Sequence, residues 1–494
     1  MSVSYDFDRL YIGGGWTAAT SDQQLLVRSP STEEIVGRVP AALAADMDRA
    51  VQAARQAFDQ GEWPRLAIAE RARLVAAMAD GIAARRHEFA EVFTHESGQP
   101  LVKRGLPGVD RAVRVFRYYA SLAHEYPLEQ VHVGLDNPFV LRKEPVGVVA
   151  IITPWNAPLS ITSFSVPAAL VAGCTVVLKP AAESPLHAQL LAQVAHDAGL
   201  PAGVLNVVPA DREASEALVR HPGVDKVTFT GSTATGRRVA ALCGENLKRV
   251  GLELGGKSAA ILLDDVNLES SIAAIVGNAM MNSGEACVAQ TRVLVPARRY
   301  SETAEAFIAQ LRTQKLGDPH QAETDLGPLI SERQRARVES YIESGREQGA
   351  RLLLGGGRPK HLPRGWYVEP TVFADCNNRM KIAREEIFGP VACLIPYEGV
   401  EAAIDIANDS DYGLSGTVWT ADDARGLEVA RRVRTGNFGV NMFNLDIAAP
   451  FGGFKESGIG RQLGPQGLEQ YLESKAIQMR SIAAAEARAG ASQG

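Results

Sequence analysis

The pattern of hydrophobic and polar positions predicts a parallel α/β fold. Between residues 147 and 230, short runs rich in apolar and β-branched residues alternate with stretches of helical periodicity. The predicted strands are 147–152, 175–178, 204–208 and 226–230, and helices are expected over 186–198 and 212–220. Strands that alternate with helices imply a doubly wound parallel sheet, and nearly continuous apolar strands are typical of a sheet buried on both faces.

A helical region precedes this block and a second α/β block follows it. Apolar spacing predicts two helices within residues 46–95 and another over 111–124. From about residue 256, further strand-like runs occur at 259–263, 291–295 and 391–395. The sequence therefore predicts two successive α/β units.

One long span invites a membrane interpretation. No charged residue occurs from Pro145 to Leu178. Pro154, Pro158 and Pro167 interrupt the span, and a helix exposed to lipid tolerates such breaks poorly. Buried strands joined by loops explain the span better than a membrane helix.

Composition narrows the class of protein. The chain has 494 residues, of which 22% are charged, and this length suggests two or three globular domains. Its net charge of −6 argues against nucleic acid or an anionic membrane as partner. The first eight residues have neither the basic nor the apolar region of a signal peptide, so a cytoplasmic location is expected. The five cysteines form no Cys-x-x-Cys pair, which argues against a disulfide framework or a zinc site, and no metal ligands are predicted.

Two Gly-containing motifs carry candidate chemistry. Glu253 lies in Leu-Glu-Leu-Gly-Gly-Lys-Ser, and Cys287 lies in Asn-Ser-Gly-Glu-Ala-Cys-Val. A thiol nucleophile and a carboxylate base are the two groups needed to form a covalent acyl-enzyme and to hydrolyse it. By residue type alone, a buried inert thiol and a capping or ion-paired glutamate are the commoner alternatives.

Further motifs resolve this choice. They occur in the order Thr-Pro-Trp-Asn at 153–156, Lys-Pro-Ala-Ala-Glu-Ser-Pro at 179–185, Phe-Thr-Gly-Ser-Thr-Ala-Thr-Gly at 229–236 and Glu-Glu-Ile-Phe-Gly-Pro at 385–390. With the two motifs above and Pro-Phe-Gly-Gly-Phe-Lys-Glu-Ser-Gly at 450–458, the sequence resembles the aldehyde dehydrogenase superfamily from about Tyr11 to Ile477. The resemblance implies a Rossmann-type cofactor domain, an α/β catalytic domain and a small oligomerisation segment.

The resemblance also implies a mechanism. Cys287 would attack an aldehyde, and its backbone N–H and the Asn156 amide would stabilise the oxyanion, although an Asn in a Pro-rich segment can equally serve a turn. Oxidation by a nicotinamide would leave a thioester, which water activated by Glu253 would hydrolyse to a carboxylic acid. Relatives that transfer the thioester to coenzyme A generally lack this carboxylate, and a non-catalytic scaffold need not retain Cys287, Glu253 and Asn156 together.

The cofactor site is expected away from the usual fingerprint, since no Gly-x-Gly-x-x-Gly follows the first strand of the sheet. The resemblance places the pyrophosphate at the helix that begins after Gly231 and Ser232, where backbone N–H groups favour anions. Lys179 would contact the adenosine ribose and Glu386 the nicotinamide ribose. The full predicted set is Ile152, Thr153, Trp155, Lys179, Glu183, Gly231, Ser232, Gly236, Leu254, Glu386 and Phe388.

Several positions depart from the family pattern. Ala182 occupies a position where many NAD-using members carry Glu, and Glu183 follows it; we predict NAD as the cofactor, with NADP possible. Glu285 replaces a common Gln two residues before the nucleophile. It is expected either to raise the pKa of Cys287 or to face solvent. Ser165 and Gln462 replace a Lys and a Glu that some members carry.

The resemblance implies a domain organisation. Residues 1–121 and 145–255 would form a discontinuous cofactor domain, residues 256–456 the catalytic domain, and residues 483–494 a flexible tail. Residues 122–144 and 470–482 would form oligomerisation strands, as in the homodimers and homotetramers of the family. The expected small-molecule substrate is an aldehyde, whose identity the sequence does not specify.

Overall fold

Two large sheets organise residues 5–481, the part of the chain that the computed structural model describes. The predicted tail, 483–494, lies outside these residues. The helices are Ala44–Asp59, Ile68–Ala84, Arg86–Ser97, Leu106–Glu125, Pro158–Ala172, Leu186–Asp197, Arg212–Arg220, Thr233–Glu245, Leu268–Ala279, Tyr300–Arg312, Glu332–Glu347, Lys381–Arg384, Gly399–Asn408, Asp423–Arg432 and Gly464–Glu469. Short 3₁₀ turns occur at Trp63–Arg65, Met281–Gly284 and Ala297–Arg299, and a π turn at Leu101–Gly105.

The first sheet has eight strands. Their spatial order is Gly458–Ile459, Arg249–Glu253, Lys226–Thr230, Val148–Ile152, Thr175–Lys179, Leu205–Val207, Leu10–Ile12 and Gly15–Thr17. The five strands from Arg249–Glu253 to Leu205–Val207 are parallel, and apolar clusters cover both faces of the sheet. The predicted doubly wound α/β architecture is therefore confirmed.

The register of this sheet brings four strand ends together. Ile152 pairs with Lys179, Phe229 pairs with Ile152, and Thr230 pairs with Glu253. The carboxyl ends of the four strands consequently lie in a row along one edge. In open α/β sheets, this is the edge at which ligands bind.

The second sheet has seven strands. Their order is Arg351–Leu354, Thr371–Ala374, Val391–Tyr397, Arg292–Pro296, Ala259–Leu262, Gly416–Trp419 and Gly439–Val440, and all but the first are parallel. The chain passes from the first sheet to the second through residues 254–258, which include the Gly-Gly of the Glu253 motif. Strand Gly458–Ile459 belongs to the first sheet, so the chain returns there after the second sheet. The predicted domain boundaries stay a prediction.

The structure corrects one local prediction. Residues 46–95 contain three helices rather than two, because Arg85, at φ −103° and ψ 23°, separates Ile68–Ala84 from Arg86–Ser97. The spacing of apolar residues does not show where one helix ends and the next begins when both helices have a similar periodicity.

The uncharged span forms buried elements of the first sheet. It supplies strand Val148–Ile152, helix Pro158–Ala172 and most of strand Thr175–Lys179. Within residues 5–481, no helix combines the length and apolar character needed to cross a membrane.

A three-stranded antiparallel sheet contains the predicted oligomerisation segments. Strand Leu472–Gln478 pairs residue by residue with Phe139–Pro145, which pairs with Glu129–His132. Ile477 is 39% exposed, and Val133, which directly follows strand Glu129–His132, is 80% exposed. Exposed apolar side chains on and beside a small sheet are typical of a protein–protein interface.

We predict that this sheet contacts a second copy of the chain. Val133→Glu combined with Ile477→Glu should lower the molar mass in light scattering after size-exclusion chromatography, because a charge buried at an interface without a partner is costly. Leu26→Glu is the matched control. Leu26 is 48% exposed and lies in strand Gln24–Arg28 of a separate three-stranded sheet, so its substitution should leave the mass unchanged. An unchanged mass for the double variant would place the interface elsewhere.

Candidate active site

A cavity of about 620 Å³ lies at the carboxyl edge of the eight-stranded sheet. Thirteen of the fourteen predicted site residues line it: Ile152, Thr153, Trp155, Asn156, Lys179, Glu183, Gly231, Ser232, Glu253, Leu254, Cys287, Glu386 and Phe388. The predicted catalytic and cofactor residues thus share one space, although Cys287 and Glu386 follow the first sheet in sequence.

A left-handed turn presents Cys287. Asn282, Ser283 and Gly284 have φ values of 52°, 55° and 77°, a conformation that costs free energy for residues other than glycine. At Gly284, a Cβ atom would lie 2.0 Å from the carbonyl carbon of Gly389. Only glycine permits this approach, which packs the Cys287 segment directly against the segment that carries Glu386.

Side-chain amides connect this turn to Asn156. Asn156 Nδ2 donates to the backbone carbonyl of Glu285 at 3.0 Å, and Asn282 Nδ2 donates to the backbone carbonyl of Asn156 at 3.3 Å. An amide nitrogen carries two hydrogens, so one donor of Asn156 is left for a ligand. The bonds hold Asn156 beside the nucleophile segment.

Burial dominates the electrostatics of the two catalytic candidates. It raises the pKa of Cys287 to about 12, with smaller contributions from Glu386 and Glu253. It also raises the pKa of Glu253 well above its ordinary value, against the influence of Arg461. Glu253 Oε2 is buried and accepts no hydrogen bond from any described residue. At neutral pH Cys287 is therefore a thiol, and Glu253 is a stronger base than an exposed glutamate.

The remaining polar groups of the cavity fit a dinucleotide. Ser232 caps helix Thr233–Glu245, whose N-terminus opens into the cavity and offers backbone N–H groups to a pyrophosphate. Burial lowers the pKa of Lys179 to about 8 and raises that of Glu386 to about 7. Glu386 Oε1 accepts from the backbone N–H of Gly256 at 2.9 Å, which orients the carboxyl group in the cavity.

Aromatic side chains flank the same space. The rings of Trp155 and Phe388 meet edge to face, with centroids 5.3 Å apart. Phe388 has a positive φ of 61°, held by a hydrogen bond of 2.7 Å from Gln334 Nε2 to its carbonyl oxygen. These rings give the cavity an apolar wall beside its polar groups.

Gly236 is the predicted cofactor residue that the cavity does not include. It is buried inside helix Thr233–Glu245, where a Cβ atom would lie 2.4 Å from a methyl carbon of Leu254. Its small size lets the helix approach Leu254, which does line the cavity. Gly236 therefore packs the helix against Leu254, and its assignment to the cofactor site stays a prediction.

Sequence reasoning missed one wall of the cavity, which is formed by Arg333, Gln334 and Arg337. All three belong to the first turns of helix Glu332–Glu347, and Arg333 Nη2 lies 2.9 Å from Glu183 Oε1. Ser331 followed by Gln334 is typical of a helix start, but nothing in the pattern indicates that this start faces the first sheet.

Glu285 does not face solvent. It is 1% exposed, and its Oε1 accepts from the backbone N–H of Ile330 at 3.0 Å, so the solvent-facing alternative is wrong. Burial raises its pKa well above the ordinary value, against the opposing influence of the hydrogen bond from Ile330. Its carboxyl group anchors the Cys287 segment to Ile330, and an effect of Glu285 on the pKa of Cys287 stays a prediction.

Two of the departures from the family pattern contact each other. Gln462 Nε2 donates to Ser165 Oγ at 2.9 Å, and both side chains are buried. A neutral hydrogen bond therefore occupies positions where some members carry a Lys and a Glu.

Comparison with known proteins agrees with this geometry. The family model described as the aldehyde dehydrogenase family matches residues 16–477. Geranial dehydrogenase from Castellaniella defragrans is 44% identical over 96% of this chain and 99% of its own length. An aldehyde dehydrogenase from Mycobacterium tuberculosis, complexed with NAD⁺, aligns with a TM-score of 0.95 and 46% identity over 96% of this chain and 99% of that chain.

A mutant of aldehyde dehydrogenase C from Pseudomonas syringae, in complex with NAD⁺ and octanal, gives a TM-score of 0.93 and 41% identity over 95% of this chain and 96% of that chain. The matched range of the family model includes every residue that lines the cavity. The chain therefore belongs to the aldehyde dehydrogenase family.

Proposed function

We propose that this aldehyde dehydrogenase oxidises its substrate to a carboxylic acid through a thioester on Cys287, with NAD as the cofactor. The observation that supports this most is the common cavity, in which a thiol, a carboxyl group and an amide donor lie beside residues that fit a dinucleotide. Each step has a side chain whose chemistry suits it.

Addition to the aldehyde begins at Cys287. Because its thiol is protonated at neutral pH, attack requires that the proton leave to water as the sulfur–carbon bond forms. The aldehyde oxygen then becomes an oxyanion. The second Nδ2 hydrogen of Asn156 is the donor proposed for it, with the backbone N–H of Cys287.

Oxidation and hydrolysis complete the reaction. A nicotinamide, when bound, supplies the hydride acceptor. The chain's own residues then hydrolyse the Cys287 thioester: Glu253 takes a proton from water, the water oxygen bonds to the acyl carbon, and the carbon–sulfur bond breaks. The acid leaves, and the proton held by Glu253 passes to the sulfur, which restores the Cys287 thiol and the Glu253 carboxylate. The carboxylate form of Glu253 is the base in this step, and its raised pKa makes it a stronger proton acceptor than an exposed glutamate. Transfer to coenzyme A is the less favoured alternative, because it does not need this carboxyl group.

Substitution of Glu253 should separate the two halves of the reaction. Cys287→Ala should abolish aldehyde oxidation. Glu253→Gln should retain a single-turnover burst of NADH but slow steady-state turnover by about 10²–10⁴-fold, the range for loss of a general base. Stopped-flow absorbance measures both phases. Absence of a burst in a folded Glu253→Gln protein that still binds NAD would contradict the assignment.

The same experiment has a pH dependence. Because the pKa of Glu253 is raised, the carboxylate form is lost at a higher pH than for an exposed glutamate. The hydrolytic rate should therefore increase as pH rises through this raised pKa, and the Glu253→Gln rate should not follow the same curve.

Removal of the proposed oxyanion donor should affect turnover selectively. Asn156→Ala should lower kcat by roughly 10²–10³-fold, the scale for one such donor. The Kd for NAD, measured by calorimetry, should stay within twofold of the wild-type value. A parallel loss of NAD affinity or of thermal stability would instead indicate that the bond to Glu285 has a structural role.

The cofactor preference is proposed to depend on Glu183 and Arg333. Glu183 lines the cavity and would accept hydrogen bonds from ribose hydroxyls, whereas a 2′-phosphate would meet its negative charge. Arg333 is the cation that a phosphate needs, but it is paired with Glu183. This pairing, together with the NAD⁺ complexes of similar proteins, supports NAD over NADP.

We expect a higher kcat/KM with NAD than with NADP. Glu183→Gln should narrow the preference, because it releases Arg333 for the phosphate. Adding Arg333→Gln to that variant should remove the gain with NADP and serves as the matched control. A wild-type preference for NADP of tenfold or more, about 1.4 kcal/mol, would refute this assignment.

A further inference from the structure

Away from the active site, two histidines and a glutamate converge between helix Arg86–Ser97 and the segment around His320. One ligand atom from each of Glu91, His95 and His320 lies within 4.8 Å of the others. Glu91 Oε2 is 3.9 Å from His95 Nε2 and 3.6 Å from His320 Nε2. Ligands of a tetrahedral zinc ion with bonds of about 2.0–2.1 Å lie roughly 3.3 Å apart, so the two distances to Glu91 exceed that spacing by a few tenths of an ångström.

The orientation of His320 is the second observation. Its Nε2 is buried and has no hydrogen-bond partner among the described residues. Its other ring nitrogen, Nδ1, lies 3.4 Å from Asp318 Oδ1, which also accepts from the backbone N–H of His320 at 3.0 Å. A carboxylate on the remote nitrogen is the arrangement that fixes the tautomer of a metal-binding histidine and directs the lone pair of the other nitrogen outward.

We propose that Glu91, His95 and His320 bind one Zn²⁺ ion, with Asp318 as the carboxylate that orients His320. Two imidazoles and a carboxylate form a ligand set that zinc accepts, with a fourth position left for water. His95, Asp318 and His320 also line a cavity of about 490 Å³, which gives the ion a route from solvent.

The site would connect parts of the chain that are far apart in sequence. Glu91 and His95 are one turn apart on their helix, whereas His320 follows Pro319, whose carbonyl accepts from the backbone N–H of Leu101 at 2.8 Å. Zinc would add a coordinate link beside this hydrogen bond. Since an ion that binds only the folded state stabilises it, zinc should raise the melting temperature.

The test is a titration of metal-free, full-length protein with ZnCl₂, followed by calorimetry and by elemental analysis of the protein after gel filtration. The proposal requires that His320→Asn bind one Zn²⁺ per chain less than the wild type. Zinc should also no longer raise the melting temperature of this variant. His87→Asn, on the exposed side of the same helix, should behave as the wild type. Asp318→Asn should weaken binding by roughly 10–100-fold, as expected for loss of an orienting carboxylate.

Two further measurements keep the test decisive. If His320→Asn does not fold, Glu91→Gln replaces it with the same expectation. Co²⁺ substitution should give the intense visible absorption of a four-coordinate site in the wild type and in His87→Asn, but not in the ligand variants. Zinc content, affinity and melting behaviour that are the same in His320→Asn as in the wild type would overturn the proposal. None of these readouts involves aldehyde oxidation, so the outcome is independent of the proposed function.

Discussion

Desolvation of three ionisable side chains around one cavity is the constraint on which the chemistry of this protein depends. Cys287, Glu253 and Glu386 would each be charged or easily charged in water, and burial shifts all three toward their neutral forms. Each of the two carboxyl groups also raises the pKa of the thiol, so the three titrations are linked. A proton that leaves one group can be held by another without a large change in the charge of the cavity.

The fold meets this constraint by aligning strand ends and then closing the cavity with the second half of the chain. The carboxyl ends of four parallel strands position Ile152, Lys179, Thr230 and Glu253. The Cys287 turn and the Glu386 segment cover them, and both are fixed by the contact between Gly284 and Gly389. Cys287 and Glu386 consequently belong to one packed unit.

The sequence was sufficient for the features that depend on local pattern and on ordered motifs. Strand Lys226–Thr230 and helix Arg212–Arg220 begin and end where the apolar pattern predicts. It was insufficient where the decisive contact is long-range. Arg333 reaches Glu183 across 150 positions, and His320 approaches His95 from a different element. The burial of Glu285 depends on Ile330, and no property of the residues next to Glu285 indicates that contact.

The first turn of helix Glu332–Glu347 has an evolutionary consequence. It belongs to neither large sheet, yet it supplies a wall of the cavity proposed for the cofactor, and the side chain of Arg333 is 83% exposed. Substitutions of exposed residues usually change stability little. Drift at this turn could therefore alter which dinucleotide a descendant prefers while leaving Cys287, Glu253 and the buried core untouched. Cofactor specificity in this lineage can then diverge faster than the reaction itself.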